Sequence, residues 1–262
     1  MSKQKLISDS RIRTMVSLID LTDLSDNCDP AAIDMLCRQA RTPVADVAAV
    51  CIWPTFIAQA KNNLGPSSSV KVATVVNFPA GDHSLDTVCA AIDKALDDGA
   101  DEIDYVMPYR ELINGNIIPV ASALKTVRNQ VPDNKKLKTI LETGELGSDE
   151  LIRTAATIAI DQGADFIKTS TGKVPINATE ESARVMLDAI LNAQRNNVGF
   201  KAAGGIRTLV DADVYLKLAE ERFGQHWIDS AHFRFGASGL LQDALSNLKV
   251  EPSQSTGNRG DY

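Results

Sequence analysis

Strand-like runs recur along this chain at intervals of roughly thirty residues, each followed by a stretch with helical spacing, the length of one βα unit. The runs are Thr14–Asp20, Val47–Trp53, Val70–Val76, Glu102–Met107, Leu137–Leu141, a run from Asp165 that turns at Gly172, a run from Val198 that turns at Gly204-Gly205, and His232–Ser238. Helical patterns follow at Pro30–Arg41, from Pro54 to near Gly65, and at Ser84–Asp98, Pro119–Val131, Asp149–Gln162, Ala178–Gln194, Leu209–Glu221 and Leu240–Leu248. Asp29 is placed as the N-cap of the first, with Pro30 behind it. In Ser84–Asp98 the apolar positions Leu85, Val88, Ile92, Ala95 and Leu96 fall on one helical face. The segment Arg110–Ile118 is longer than a plain connection and predicts extra structure above the fourth strand.

Eight alternating units predict an α/β fold, a single closed (β/α)8 TIM barrel. A doubly wound sheet is the alternative, but it has fewer strands and carries its glycine turn after the first. Here the glycine turns follow strands six, seven and eight, where barrels commonly bind phosphate. A length of 262 residues suits one such barrel. The expected organisation is a barrel domain over residues 1–250, with a short N-terminal extension, and a polar, flexible tail over 251–262.

A net charge of −7 and a pI near 5.0 argue against nucleic acid or an anionic membrane as the main partner. The longest apolar runs are of strand length, and no apolar stretch follows the first five residues, so neither a membrane span nor a signal peptide is expected. Cys28, Cys37, Cys51 and Cys89 show no C-x-x-C pairing, and His83, His226 and His232 are scattered. A reduced, cytoplasmic protein without a metal is the expectation.

Period-2 alternation puts Lys168 on the same face as Phe166 and Ser170, with Ile167 and Thr169 on the other. Lys201 occupies a similar depth on the next strand, and the same alternation turns Asp104 and Lys138 inward. Neighbouring strands lie about 4.8 Å apart, so four charges converge near the C-terminal rim. A buried ammonium must be paired or lose its proton. At pH 7 an unperturbed lysine, pKa about 10.4, is neutral in only about 0.04% of molecules. A like charge at roughly 4–6 Å lowers that pKa by about two to three units at an effective dielectric near 20. The neutral fraction then reaches about 4% to 30%, enough for an amine nucleophile of the Schiff-base kind. Asp104 would oppose this shift if it paired directly with the nucleophile, and is better placed as a proton relay. A purely structural ion-pair cluster is the competing reading.

Gly172, Gly204, Gly205 and Gly236, with Ser238, sit at the C-terminal ends of three consecutive strands. Bare backbone there lets N–H groups approach an anion, although tight βα turns alone would use the same residues.

The segments Phe166–Gly172, Lys201–Thr208, Asp101–Asp104 and Leu141–Gly144 resemble the signatures of the deoxyribose-phosphate aldolases, longer bacterial type. The likeness runs from about Ile19 to Ser238. It implies a class I aldolase that needs no cofactor or metal and reversibly cleaves 2-deoxy-D-ribose 5-phosphate to acetaldehyde and D-glyceraldehyde 3-phosphate, in deoxyribonucleoside catabolism. By the same resemblance Lys168 is the Schiff-base nucleophile, Lys201 lowers its pKa, and Asp104 moves protons. Lys173 and the backbone of Gly204, Gly205 and Ser238 would hold the phosphate. The turns at Gly172 and Gly236 are counted with that site, and Lys138, Asp20 and Tyr262 are candidate supporting residues of the active site. The expected partners are the sugar phosphate and aldehydes, and a homodimer is compatible. Gly239 and Trp53 depart from the family pattern, where a small hydroxyl residue and a tyrosine are usual. A Schiff-base aldolase or transaldolase for another sugar phosphate, and a non-catalytic barrel that binds one, are the alternatives. For Tyr262, one reading has the tail reach back to the catalytic rim and place its phenol in the proton relay, and the competing reading is a disordered tail with an incidental tyrosine.

Overall fold

The computed structural model describes residues 7–193, 195 and 197–249. Eight parallel strands close into one barrel in chain order, β1 pairing with both β2 and β8. They are β1 Ile19–Asp23, β2 Ala49–Ile52, β3 Lys71–Val76, β4 Glu102–Val106, β5 Lys136–Ile140, β6 Phe166–Lys168, β7 Gly199–Ala203 and β8 Phe233–Ala237. The predicted (β/α)8 TIM barrel is therefore the observed fold. Around it run α1 Asp9–Ser17, α2 Pro30–Gln39, α3 Ile57–Leu64, α4 Leu85–Asp97, α5 Tyr109–Ile113, α6 Ile117–Gln130, α7 Thr143–Leu146, α8 Asp149–Asp161, α9 Glu180–Asn192, α10 Leu209–Phe223 and α11 Leu240–Leu248. Side-chain caps start most of the long helices: Asp29, Ser84, Ser148, Thr179 and Thr208 each accept a backbone N–H from the first turn. The short α5 is the extra structure expected above β4.

One strand differs from its sequence reading. Residues expected to open β1 at Thr14 are helical, and the strand begins only at Ile19. Ser8 caps this helix through the Arg11 N–H, and Ile12, Met15 and Val16 bury one face of it. That spacing of three and four residues is helical, and the helix packs on α11 and α10 at the foot of the barrel. Arg11 holds it there by bonding Glu220 at 2.6 Å and Asp213. The N-terminal extension is thus a helix packed against α10 and α11.

Strand alternation divides the core in two. Ile103, Phe200, Phe233 and their like face outward into one continuous apolar layer beneath the helices. Inside, β2 and β3 contribute only Ala49, Cys51, Ala73 and Val75, which form a separate apolar wall with Leu24, Trp53 and Phe78. The other six strands fill the interior with charge. All four cysteines are free, and among the described residues no helix is long and apolar enough to cross a membrane. The expected tail 251–262, with Tyr262, lies outside the described residues.

Candidate active site

Pairing register brings the inward charges side by side. Asp104 is opposite Lys138, and Lys168 is opposite Lys201, which in turn is opposite Arg234. Asp104 lies at the centre. Its Oδ1 accepts from Lys138 Nζ at 2.8 Å, and its Oδ2 from Lys168 Nζ at 2.9 Å and Lys201 Nζ at 2.8 Å. Asp20 accepts from Lys201 at 2.5 Å and from Arg234 at 2.6 Å. Glu102 pairs with Lys138 at 2.5 Å and with Arg234 at 3.0 Å.

Two members of this network, Glu102 and Arg234, do not stand out in the sequence as site residues. A signal is present, since Glu102 shares a strand face with Asp104, and Arg234 shares one with Gly236. Gly236 is bare for a steric reason: a Cβ there would lie 3.1 Å from Lys201 Cε and 2.8 Å from Ala203 Cβ. The lysine stem needs that space.

The three lysines differ in how many carboxylates they meet. Among the described residues, Lys138 lies within 4.0 Å of Asp20, Glu102 and Asp104, and Lys201 of Asp20 and Asp104, whereas Lys168 has Asp104 alone. Burial disfavours every ammonium. For Lys138 and Lys201 the carboxylates outweigh burial and hold the pKa above its ordinary value. For Lys168 burial wins, aided by the Lys201 charge and opposed by Asp104, and the pKa falls. Asp104 does pair directly with Lys168, the case in which it opposes the shift, and the downward shift survives that pairing. Burial also pushes the carboxyls of Asp104 and Asp20 upward, but the surrounding cations overcome it and hold both well below the ordinary range.

Counting the network gives the same answer. Four cations, Lys138, Lys168, Lys201 and Arg234, surround three carboxylates, Asp20, Glu102 and Asp104. A buried cluster is neutral when one cation gives up its proton. Lys168 is the one with the fewest counter-charges.

Lys168 is also the lysine of the three that reaches open space. It lines a cavity of about 560 Å³ at the C-terminal rim, together with Lys173, Gly172, Gly204, Gly205, Gly236 and Ser238. Lys138, Lys201, Asp104 and Asp20 are fully buried beneath it. Gly172 and Gly205 adopt left-handed backbone, φ +85° and +83°, which a side chain would strain. Arg207 enters the same cavity and is not evident as a site residue from the sequence, although it stands in the motif after Gly205. The N-terminus of α11 follows Ser238, and its N-cap Gly239 supplies no side-chain hydrogen bond, leaving the first N–H groups of the helix free of a side-chain cap. Trp53 donates from Nε1 to the Ser25 carbonyl at 3.0 Å and meets Phe78 edge-on.

Residues 14–242 match the model of the DeoC/LacD family aldolases, and a deoxyribose-phosphate aldolase from Agrobacterium fabrum is 51% identical over 233 residues, 89% of this chain and 90% of that one. The chain belongs to the DeoC/LacD aldolase family. It is an aldolase, a carbon–carbon lyase. A solved Toxoplasma gondii ME49 structure, provisionally described as a deoxyribose-phosphate aldolase, is similar with a TM-score of 0.83 and 26% identity, over 92% of this aldolase and 95% of that chain. The fold alone is shared with the tetrameric deoxyribose phosphate aldolase of Aeropyrum pernix, at TM-score 0.73 and 22% identity over 92% and 93% of the two chains.

Proposed function

We propose that this aldolase reversibly cleaves 2-deoxy-D-ribose 5-phosphate to acetaldehyde and D-glyceraldehyde 3-phosphate through a Schiff base on Lys168, as a cytoplasmic enzyme of deoxyribonucleoside catabolism. The observation that carries the reading is that Lys168 alone of the three buried lysines has a lowered pKa and lines the cavity. The substrate is taken from the name of the relative at 51% identity.

Neutral Lys168 attacks the C1 aldehyde of the open-chain sugar, and the carbinolamine loses water to give an iminium. A base then takes the C3 hydroxyl proton. The C2–C3 bonding pair moves into the iminium, leaving an enamine on Lys168 and an aldehyde at the former C3. Protonation at C2 and hydrolysis release acetaldehyde and return the free amine. Asp104, bonded to Lys168 Nζ, is the group placed to pass protons, through a water held at its carboxylate. Lys201 holds Asp104 ionised and disfavours the Lys168 ammonium.

For the phosphate, the left-handed turns at Gly172 and Gly205, the α11 N-terminus, and the cations Lys173 and Arg207 converge on one side of the cavity. The wild-type enzyme given 2-deoxy-D-ribose 5-phosphate is expected to release acetaldehyde, read by coupled reduction to ethanol. Ser238→Asp places a negative charge in the phosphate site. Its KM for that substrate is expected to rise by about two orders of magnitude or more, while unphosphorylated 2-deoxyribose is much less affected. Absence of acetaldehyde would defeat the substrate assignment, and equal losses for both sugars would move the phosphate elsewhere.

A further inference from the structure

Glu142 is a buried carboxylate that the chemistry above does not use. It is fully buried at the end of β5, and among the described residues it has no salt bridge. Burial raises its pKa, with the Lys168 charge acting in the opposite sense. Its backbone is left-handed, φ 57° and ψ 59°, a conformation uncommon for a residue with a side chain. A buried, strained, unpaired carboxylate is costly, and its position asks for a reason.

Its hydrogen bonds supply one. The β5–β6 ladder continues past the strands, as Leu141 N–H donates to the Lys168 carbonyl and Thr143 N–H to the Thr169 carbonyl. At Thr171 the carboxylate of Glu142 takes over from the ladder. It accepts the Thr171 N–H at 3.2 and 3.3 Å and the Thr171 hydroxyl at 2.5 Å. The same hydroxyl accepts the Lys173 N–H at 3.0 Å. One chain of bonds, Glu142 to Thr171 to Lys173, thus spans the turn in which Gly172 is left-handed. The left-handed backbone of Glu142 is what allows a residue leaving β5 to direct its carboxylate at the neighbouring turn.

We propose that Glu142 is a positioning residue for phosphate binding: its carboxylate fixes Thr171, and through it the backbone of Gly172 and Lys173, in the shape that receives the anion. This rests on the reading of that turn as part of the phosphate site. Glu142 itself is not among the residues lining the cavity, so it acts through Thr171.

The test is a set of full-length variants, Glu142→Ala, Glu142→Gln, Thr171→Val, Thr171→Ser and the pair Glu142→Gln/Thr171→Val, assayed with 2-deoxyribose 5-phosphate and with 2-deoxyribose. Glu142→Ala and Thr171→Val are each expected to raise KM for the phosphorylated sugar about tenfold, with a far smaller rise for the plain sugar. Thr171→Ser, which keeps the hydroxyl, should restore most of the loss. The double variant should be no worse than its poorer parent, because both changes break one chain of bonds. Borohydride trapping of acetaldehyde on Lys168 should persist throughout. A role confined to stability would lower the melting temperature and leave the ratio of the two KM values as it was, and that result overturns the proposal, as would additive losses in the double variant. Ser238→Asp in the same assay separates the two claims. If it is selective for the phosphorylated sugar and the Glu142 and Thr171 variants are not, the positioning role alone fails. If none is selective, the phosphate site and the positioning role fail together.

Discussion

Lys201→Leu is expected to lose about 100-fold in turnover at neutral pH and to move the acid limb of the pH–rate profile upward by about two units. The two amines share one oxygen of Asp104, at 2.9 and 2.8 Å, so they are at most 5.7 Å apart. Like charges at that separation repel by about 3 kcal/mol at an effective dielectric near 20, or about two pKa units. Removing Lys201 deletes that repulsion and leaves three cations for three carboxylates, a balance that needs Lys168 protonated. The direction follows from the proposed mechanism: if Lys168 reacts as the neutral amine, activity rises as pH passes through its pKa, and a raised pKa moves that rise to higher pH. Restored turnover at alkaline pH would mark an electrostatic role. A profile of unchanged shape with a lower plateau would make Lys201 a direct acid or base.

Asp104→Asn is expected to act in the opposite sense on the amine while removing turnover. Among the described residues Asp104 is the one carboxylate paired with Lys168, and it opposes the loss of the lysine's proton. With an amide there, the pH dependence of imine trapping should move to lower pH. Cleavage should fall by about 10³-fold or more, because the group proposed to pass protons is gone. Stability should fall too, since three buried lysines lose their common partner, at a cost of about 3–5 kcal/mol. The wild-type contribution has a definite pH window. The Asp104 carboxyl is depressed in the fold, so its stabilisation is present above the ordinary carboxylate range and is lost as pH falls through the folded value. Stability measured against pH should therefore decline into acid for the wild type and more weakly for Asp104→Asn. A variant with wild-type cleavage would exclude Asp104 from the proton path.

Much of the fold and of the charged cluster is legible in the sequence alone. The thirty-residue recurrence favours a barrel over a doubly wound sheet, and strand alternation is what places Asp104, Lys138, Lys168 and Lys201 on one interior face. The depth match of Lys168 and Lys201 is a direct register pair. What the sequence conceals has physical causes. Ile12, Met15 and Val16 belong to a helix, but the apolar residues of 14–20 also read as a strand, because short apolar runs carry either period. Arg234 lies between Phe233 and Phe235, so it reads as a lone charge in an aromatic strand, while its partners Asp20 and Glu102 are on β1 and β4. The unequal sharing of carboxylates depends on contacts across the barrel, such as Lys201 with Asp20, that no local pattern encodes. Burial, rather than Lys201, is the leading cause of the shift at Lys168, which a count of charges along the strands does not reveal.

That Lys168 is the covalent nucleophile is tested most directly by treating the enzyme with acetaldehyde and borohydride and mapping the peptides by mass. Reduction should leave one ethyl adduct on the peptide containing Lys168, and Lys168→Arg, whose guanidinium stays protonated, should show neither adduct nor turnover. An adduct on Lys138 or Lys201 instead, or one that persists in Lys168→Arg, would contradict it.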